Sequence, residues 1–290
     1  MKKKLLLVSA MMLSVSSLMA QSKAVSEPRL FIKSSQSLMA PVWSPDGSKI
    51  AVTGDNYIGI WVANADGSNL QQVSNALGAG YKMNWADAAT IVSTPYTVVD
   101  NMRMVRIENV DVQTGKIQEV APGQRNFRQS KVMKATNLLK IMVDQPAEAT
   151  KLIPSLEKFA GKMVLNPTLS PDGKKIAFQI VSNGLFVCDV DGSNLKSFGK
   201  GSHASWAPNS KDLMFARLQD NGERFTASDI YSVNVETGVE NNLTPNSDVI
   251  PVTLSVSPDG TKVAFDNDAD GNIYVIAVSY THLTLPTNRE

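Results

Sequence analysis

Residues 42–52 read VWSPDGSKIAV, and the pattern returns as TLSPDGKKIAF at 168–178 and SVSPDGTKVAF at 255–265, with a worn copy, SWAPNSKDLMF, at 205–215. Each copy sets a short apolar strand before Ser-Pro-Asp-Gly and an alternating strand, such as Ile176, Phe178 and Ile180, after it. Proline at the second turn position presets φ at about −65°, Asp bonds its own backbone, and Gly accepts the positive φ that follows. The motif is therefore a β-hairpin with defined turn chemistry. Its recurrence marks a repeat architecture in which no unit buries its faces alone.

Outward from these hairpins, a third strand ends each time at a Gly-containing turn: IWVANADG, LFVCDVDG, IYSVNVETG and the weaker IENVDVQTG. Trp61, Phe186, Tyr231 and Tyr274 share one level of this strand, and Ala63, Cys188, Val233 and Ile276 share the level two residues on. Residues two apart lie on one face of a strand, so both levels are expected to point into a shared core. Cys188, where other repeats carry Ala, Val or Ile, reads as a small buried hydrophobe without chemistry.

The residue before each first turn is Trp43, Trp85, Leu169, Trp206 or Val256, at gaps of 42, 84, 37 and 50. The doubled gap predicts a degenerate repeat centred near Phe127. The expected fold is all-β, a six-bladed β-propeller of four-stranded antiparallel blades near 38–74, 81–121, 124–165, 166–199, 202–244 and 250–278. Segment 29–33 supplies the outer strand that the last blade lacks and closes the ring. Within the irregular third unit, 137–144 reads as a strand and 154–161 as a short helix.

The WSPDGxxIAF hairpin, followed by an IY-type strand and a DG turn, resembles the repeat of TolB-like propellers, the WD40-like (PD40) repeats of Tol-Pal-type envelope proteins. The resemblance covers about residues 38–278. It implies a scaffold or protein-binding module that partners other proteins of the cell envelope and catalyses nothing. Residues 21–37 are too few for the N-terminal partner-binding domain of TolB, so the particular partners of TolB do not carry over. The same propeller also fronts prolyl-oligopeptidase and dipeptidyl-peptidase-like serine peptidases, and the alternative reading is the propeller of such an enzyme, cut short. That reading requires a hydrolase domain with a G-x-S-x-G elbow, a motif this sequence lacks.

The ends fit export. Lys2, Lys3 and Lys4 precede an apolar run from residue 5 to 19 and then Ala20, the layout of a cleavable signal peptide. The run is broken by serines and short of the roughly 20 apolar residues of a spanning helix, so the expected product, residues 21–279, is a single periplasmic or secreted propeller without direct membrane insertion. Loss of residues 1–20 would change the net charge from +1 to −2, with both signs mixed along the chain, which argues against nucleic acid as a partner. Residues 279–290, SYTHLTLPTNRE, break the repeat and resemble translated adapter sequence. Residues 280–290, with His282 among them, are read as a non-native tail.

Few residues suggest chemistry. His203 and His282 are too few for a histidine-rich metal site of the kind lyases similar to oligogalacturonate lyase use, and His203 is expected at a blade edge, on the surface or hydrogen-bonded. Asp266, Asp268, Asp270 and Gly271 copy the front of a calcium loop, but Ala277 stands where a bidentate Glu should close it, so an acidic hairpin is the better reading. No metal or cofactor is expected. Topology says more. The first-to-second and third-to-fourth strand turns are short and uniform and share one face of the disc. The second-to-third connections and the inter-blade links vary in length and share the other, and variable loops on a rigid scaffold are where binding resides. On that face Tyr96, Met102, Arg103, Arg106, Arg224 and Phe225 are the expected partner-binding residues, aromatic and arginine anchors of the kind interfaces favour.

Overall fold

The computed structural model describes residues 23–125 and 137–280. Two N-terminal strands, β1 (Lys23–Val25) and β2 (Arg29–Ile32), precede five antiparallel sheets. Blade 1 is β3 (Leu38–Trp43), β4 (Lys49–Gly54), β5 (Ile60–Asn64) and β6 (Gln71–Ser74). Blade 2 holds β7 (Asn84–Trp85), β8 (Thr90–Ser93), β9 (Tyr96–Val99), β10 (Met102–Asp111) and β11 (Ile117–Gln124). After a helical segment, blade 3 is β12 (Val164–Leu169), β13 (Lys175–Ile180), β14 (Gly184–Asp189) and β15 (Lys196–Ser197). Blade 4 is β16 (Ser202–Trp206), β17 (Asp212–Asp220), β18 (Phe225–Asn234) and β19 (Glu240–Asn242). Blade 5 is β20 (Pro251–Val256), β21 (Lys262–Asn267) and β22 (Asn272–Tyr280), completed by the N-terminal strands.

The turn chemistry explains the repeat. In blade 1 the Ser44 hydroxyl donates to Asp46 at 2.7 Å, Asp46 also accepts the Ser48 N–H at 3.1 Å, and Ser44 Oγ accepts the Lys49 N–H at 2.9 Å. Ser170, Asp172, Lys174 and Lys175 repeat these bonds at 2.7, 3.1 and 2.9 Å. Gly47 and Gly173 hold φ of 70° and 73°, and in the worn blade-4 copy Ser210 takes that role at 57°. The third-strand level also holds: Ala63, Cys188, Val233 and Ile276 are buried. Phe186, Tyr231 and Tyr274 stack on Phe178, Phe215 and Phe265 of the neighbouring strand, with centroids 6.0 Å apart in each pair.

Blades are tied at their inner ends. Trp85 Nε1–H donates to Val42 C=O at 3.0 Å and Trp206 Nε1–H to Thr168 C=O at 3.2 Å, each tryptophan reaching the preceding blade. Val256 N–H donates to Ser205 Oγ at 3.2 Å, joining blades 4 and 5. The ring closes through the N-terminus: β2 pairs with β22 at Arg29–Val275, Leu30–Tyr274 and Ile32–Ile273, while β1 extends the same edge from Val278 to Tyr280. Tyr280 thus ends a strand of the fold rather than opening a tail.

Among the described residues there are five blades, not the six expected. Where a third blade was expected over 124–165, the chain forms α1 (Asn137–Asp144), α2 (Ala149–Leu152) and a 3-10 helix at Pro154–Phe159. A strand was expected over 137–144, but Leu138, Leu139 and Met142 lie at helical spacing and bury one stripe. That stripe, with Ile153, Leu156 and Phe159, packs on Ile176, Phe178, Phe186 and Cys188 of blade 3. The segment has no Ser-Pro-Asp-Gly turn to set a hairpin, so the helical pattern wins. Phe127, residues 1–20 and residues 281–290 lie outside the described residues.

Candidate binding cleft

Two concavities open around the axis. The first is an axial cavity of about 370 Å³, reached by the innermost strand of every blade. Three residues before Trp43, Trp85, Leu169, Trp206 and Val256 stand Ala40, Lys82, Asn166, His203 and Thr253, and all five line it. The register slips at this point in β3, β12, β16 and β20, a bulge that re-aims one side chain per blade. Ala40, Lys82, Asn166 and His203 share a left-handed φ of 49° to 50°.

Second-strand side chains accept several of the bulged N–H groups, from the next blade at His203 and Ala40 and from the same blade at Thr253. Gln179 Oε1 accepts the His203 N–H at 3.3 Å, and the Asp266 carboxylate accepts the Ala40 N–H at 3.3 Å and the Thr253 N–H at 2.6 Å. Asp266 is buried, and loss of water raises its carboxyl above the usual carboxylate value despite these donors. It is thus a latch between blades 5 and 1 rather than the first ligand of a calcium loop. Asp270 accepts instead from Asn267, Asn272 and Tyr274, and Asp268 lines a separate hollow. No group of three or more His, Cys, Asp or Glu able to hold a metal is found among the described residues. His203 sits on the inner edge of its blade, not on the outer surface, and its Nδ1 has no hydrogen-bond partner among the described residues. Burial lowers its pKa.

The second concavity, about 690 Å³, is a cleft that shares Lys82 and Val143 with the first. One side is lined by Asn56 and Tyr57 between β4 and β5, Gly78, Tyr81 and Lys82 from the link between blades 1 and 2, and Thr94, Tyr96, Arg103 and Val105 from the β8–β9 link and the β9–β10 hairpin. Val143, Asp144 and Pro146, at the end of α1 and just beyond, form the opposite wall. Tyr57 and Tyr81 meet edge to face at 5.1 Å, and Lys82 Nζ lies 5.5 Å from the Tyr81 ring centre. Arg103 stacks on Tyr96 at 4.6 Å. A Cβ at Gly78 would come within 2.7 Å of the Tyr96 ring, so glycine lets that ring sit against the link. Asn56, Tyr57 and Lys82 all hold positive φ, at 56°, 58° and 50°, the kind of backbone strain that clusters where a surface is built for a task.

The cleft gathers Tyr96 and Arg103 from the sequence-predicted set and leaves the others elsewhere. Met102 is on the far face of the same hairpin. Arg106 is tied to the buried Glu108 at 2.8 Å, an ion pair inside the sheet. Arg224 and Phe225 share a shallow hollow with Asp220, Glu223 and Asp268, whose carboxylates oppose the arginine's charge. Tyr57, Tyr81 and Lys82 were not singled out from the sequence. The available signal was their position in second-to-third connections and links, on the face already chosen. Val143, Asp144 and Pro146 could not be found while their segment was read as a blade.

No protein-family model matches the chain, and no curated protein matches it in sequence. Solved structures similar to it include an oligogalacturonate lyase in complex with manganese, 13% identical over 88% of this chain and 82% of that chain, with a TM-score of 0.36. The oligogalacturonate lyase of Vibrio parahaemolyticus is 12% identical over 90% and 98%, with a TM-score of 0.36. The β-propeller domain of Myceliophteria thermophila Cps50 (Swd1) is 10% identical over 87% and 100%, with a TM-score of 0.47. Likeness at this level assigns no activity, and the propeller architecture stands on the strand pairing of the chain itself.

Proposed function

We propose that this chain is a TolB-like binding propeller that works in the periplasm after removal of residues 1–20, engages a protein partner through its irregular face, and catalyses no reaction. One observation carries the reading: Tyr57, Tyr81, Tyr96, Lys82 and Arg103 converge in one cleft between the inter-blade link, the β9–β10 hairpin and the end of α1. Stacking surfaces, phenols and cations supply recognition, and aromatic and arginine anchors dominate the energy of protein interfaces. Exposed Ile58, Leu77, Val98, Val99 and Met102 on the same connections add apolar surface that a partner would cover.

The test places a photo-reactive amino acid at Tyr81 in a Gram-negative host exporting the tagged chain, with the same probe at Thr237 on the uniform face as control. Discrete protein adducts from Tyr81 and none from Thr237 are expected. Adducts from Thr237 alone would reverse the choice of face, and a chain retained uncleaved in the cytoplasm would remove the export reading.

A further inference from the structure

The β9–β10 hairpin that carries Tyr96 and Arg103 has an open edge. On one side of β9, Pro95 C=O accepts the Arg106 N–H at 3.0 Å; on the other, Tyr96 N–H donates to Leu77 C=O at 2.9 Å. Backbone groups of successive strand residues alternate in direction, so Thr97 and Val99 face β10, while Tyr96 and Val98 face away from it. Leu77 covers Tyr96. Among the described residues nothing covers Val98: β9 pairs with β10 alone, and the outward N–H and C=O of Val98 take part in no hydrogen bond there.

The side chains at this edge are arranged for a guest. The register sets Tyr96 opposite Val105 and Val98 opposite Arg103, so these four share one face of the hairpin. Tyr96, Arg103 and Val105 line the cleft, and Val98 continues that wall outward. Val98 and Val99 are 58% and 51% exposed, although exposed edge strands are ordinarily blunted by charge, proline or a bulge. Arg103 stacks on Tyr96 and has no carboxylate partner among the described residues.

We propose that the free edge of β9 docks an extended peptide segment of a protein partner, which pairs with the backbone of Val98 and lays an Asp or Glu side chain on Arg103. The inference rests on the irregular face being the binding face, and it names the guest. Strand addition draws affinity from main-chain bonds and specificity from alternate side chains. An acidic sugar would satisfy Arg103 and the phenols yet leave Val98, Val99 and the open backbone in water, so a peptide strand fits the surface better.

Selection of a displayed library of short random peptides on the full chain tests this. Winning peptides should carry an acidic residue between apolar, β-branched or aromatic residues at alternating positions. Binding of a synthesised winner should fall roughly tenfold or more with Arg103→Glu, as expected when one partner of an interfacial charge pair is lost. Val98→Pro should do the same while leaving the circular dichroism spectrum unchanged, because it deletes only an outward N–H, which edge strands tolerate. Val98→Thr keeps the donor and should keep binding. Slowed hydrogen exchange at the Val98 amide in the complex gives the same answer should the proline variant misfold. Winners indifferent to both Arg103→Glu and Val98→Pro would overturn the proposal, as would winners displaced by an acidic heparin fragment and sensitive to Arg103→Glu alone. Winners that require Arg224 and Phe225 would overturn it while leaving the binding face intact, and an absence of winners would count against both readings.

Discussion

Truncating Ile32 to alanine isolates the role of the N-terminal strand in closing the ring. Ile32 is 2% exposed and packs in one cluster with Leu38, Trp43, Ile50 and Val52 of blade 1 and Ala264, Ile273 and Val275 of blade 5. It belongs to both sides of the closure at once. Ile32→Ala removes three carbons from this junction, and transfer plus cavity terms put the loss at about 3 kcal/mol within a usual span of roughly 2–5. For a domain of this size, roughly 2–4 °C per kcal/mol gives a fall in Tm of about 6–12 °C. Leu30, on the same strand but 44% exposed, is the internal control, and Leu30→Ala should stay within about 0.5 kcal/mol of the parent. Deleting residues 27–33 should cost more than Ile32→Ala, because it also uncovers the edge of β22. Thermal and urea unfolding followed by circular dichroism measure all three. Equal melting of Ile32→Ala and parent, or equal losses at Leu30 and Ile32, would show that the strand does not close the ring in the way its burial implies.

Three further outcomes follow from the buried and acidic groups. Burial raises the carboxyl of Asp266, so its contribution to stability is complete below the unfolded value of 3.8 and declines as pH rises through the raised value; Asp266→Asn should abolish that declining component in urea midpoints taken across the acid range, and an unaltered pH slope would refute it. Millimolar calcium should barely move Tm, because Asp266, Asp268 and Asp270 do not converge, and a calcium-dependent rise abolished by Asp268→Ala would overturn that reading. The Cys188 thiol, pushed up to about 12 chiefly by burial, should resist alkylation at pH 8 in the folded chain and react on unfolding, whereas rapid labelling without denaturant would contradict its place in the blade-3 core.

What could be read from sequence was what local chemistry repeats. Ser-Pro-Asp-Gly makes its hairpin from its own side chains, so the hairpins at 44–49 and 170–175 were legible without tertiary knowledge. Period-two alternation then placed Ala63, Cys188, Val233 and Ile276 in the core. The missing outer strand of blade 5 was legible as well, because a repeat that stops one strand short needs a partner from elsewhere. The sixth blade failed for the converse reason. It was inferred from arithmetic on spacing, with no turn chemistry beneath it, and segment 137–144 offers both a strand-like and a helix-like reading of the same leucines. Of the residues lining the candidate cleft, topology singled out Tyr96 and Arg103, but whether an arginine there is left open or is held by a neighbour depends on contacts such as Arg106 with Glu108 that only the folded sheet brings about.

The lost blade and the cleft are connected. In a ring of equivalent blades each inter-blade space is filled by the next sheet, as blades 3, 4 and 5 show with their paired tryptophan, serine and backbone contacts. Between blades 2 and 3 the chain instead sends helices that pack on blade 3, and the far end of α1 forms one wall of the cleft whose other wall is blades 1 and 2. The β9–β10 hairpin borders the same break, and among the described residues the outward backbone of Val98 has no partner strand. Departure from the repeat therefore yields, in one place, a concave surface and, among the described residues, a guanidinium without a carboxylate partner and an open strand edge. A regular propeller has reasons of stability to suppress each of these. Their coincidence beside one helical insertion is the physical ground for placing recognition at the break in the pattern, on residues that the repeat itself does not predict.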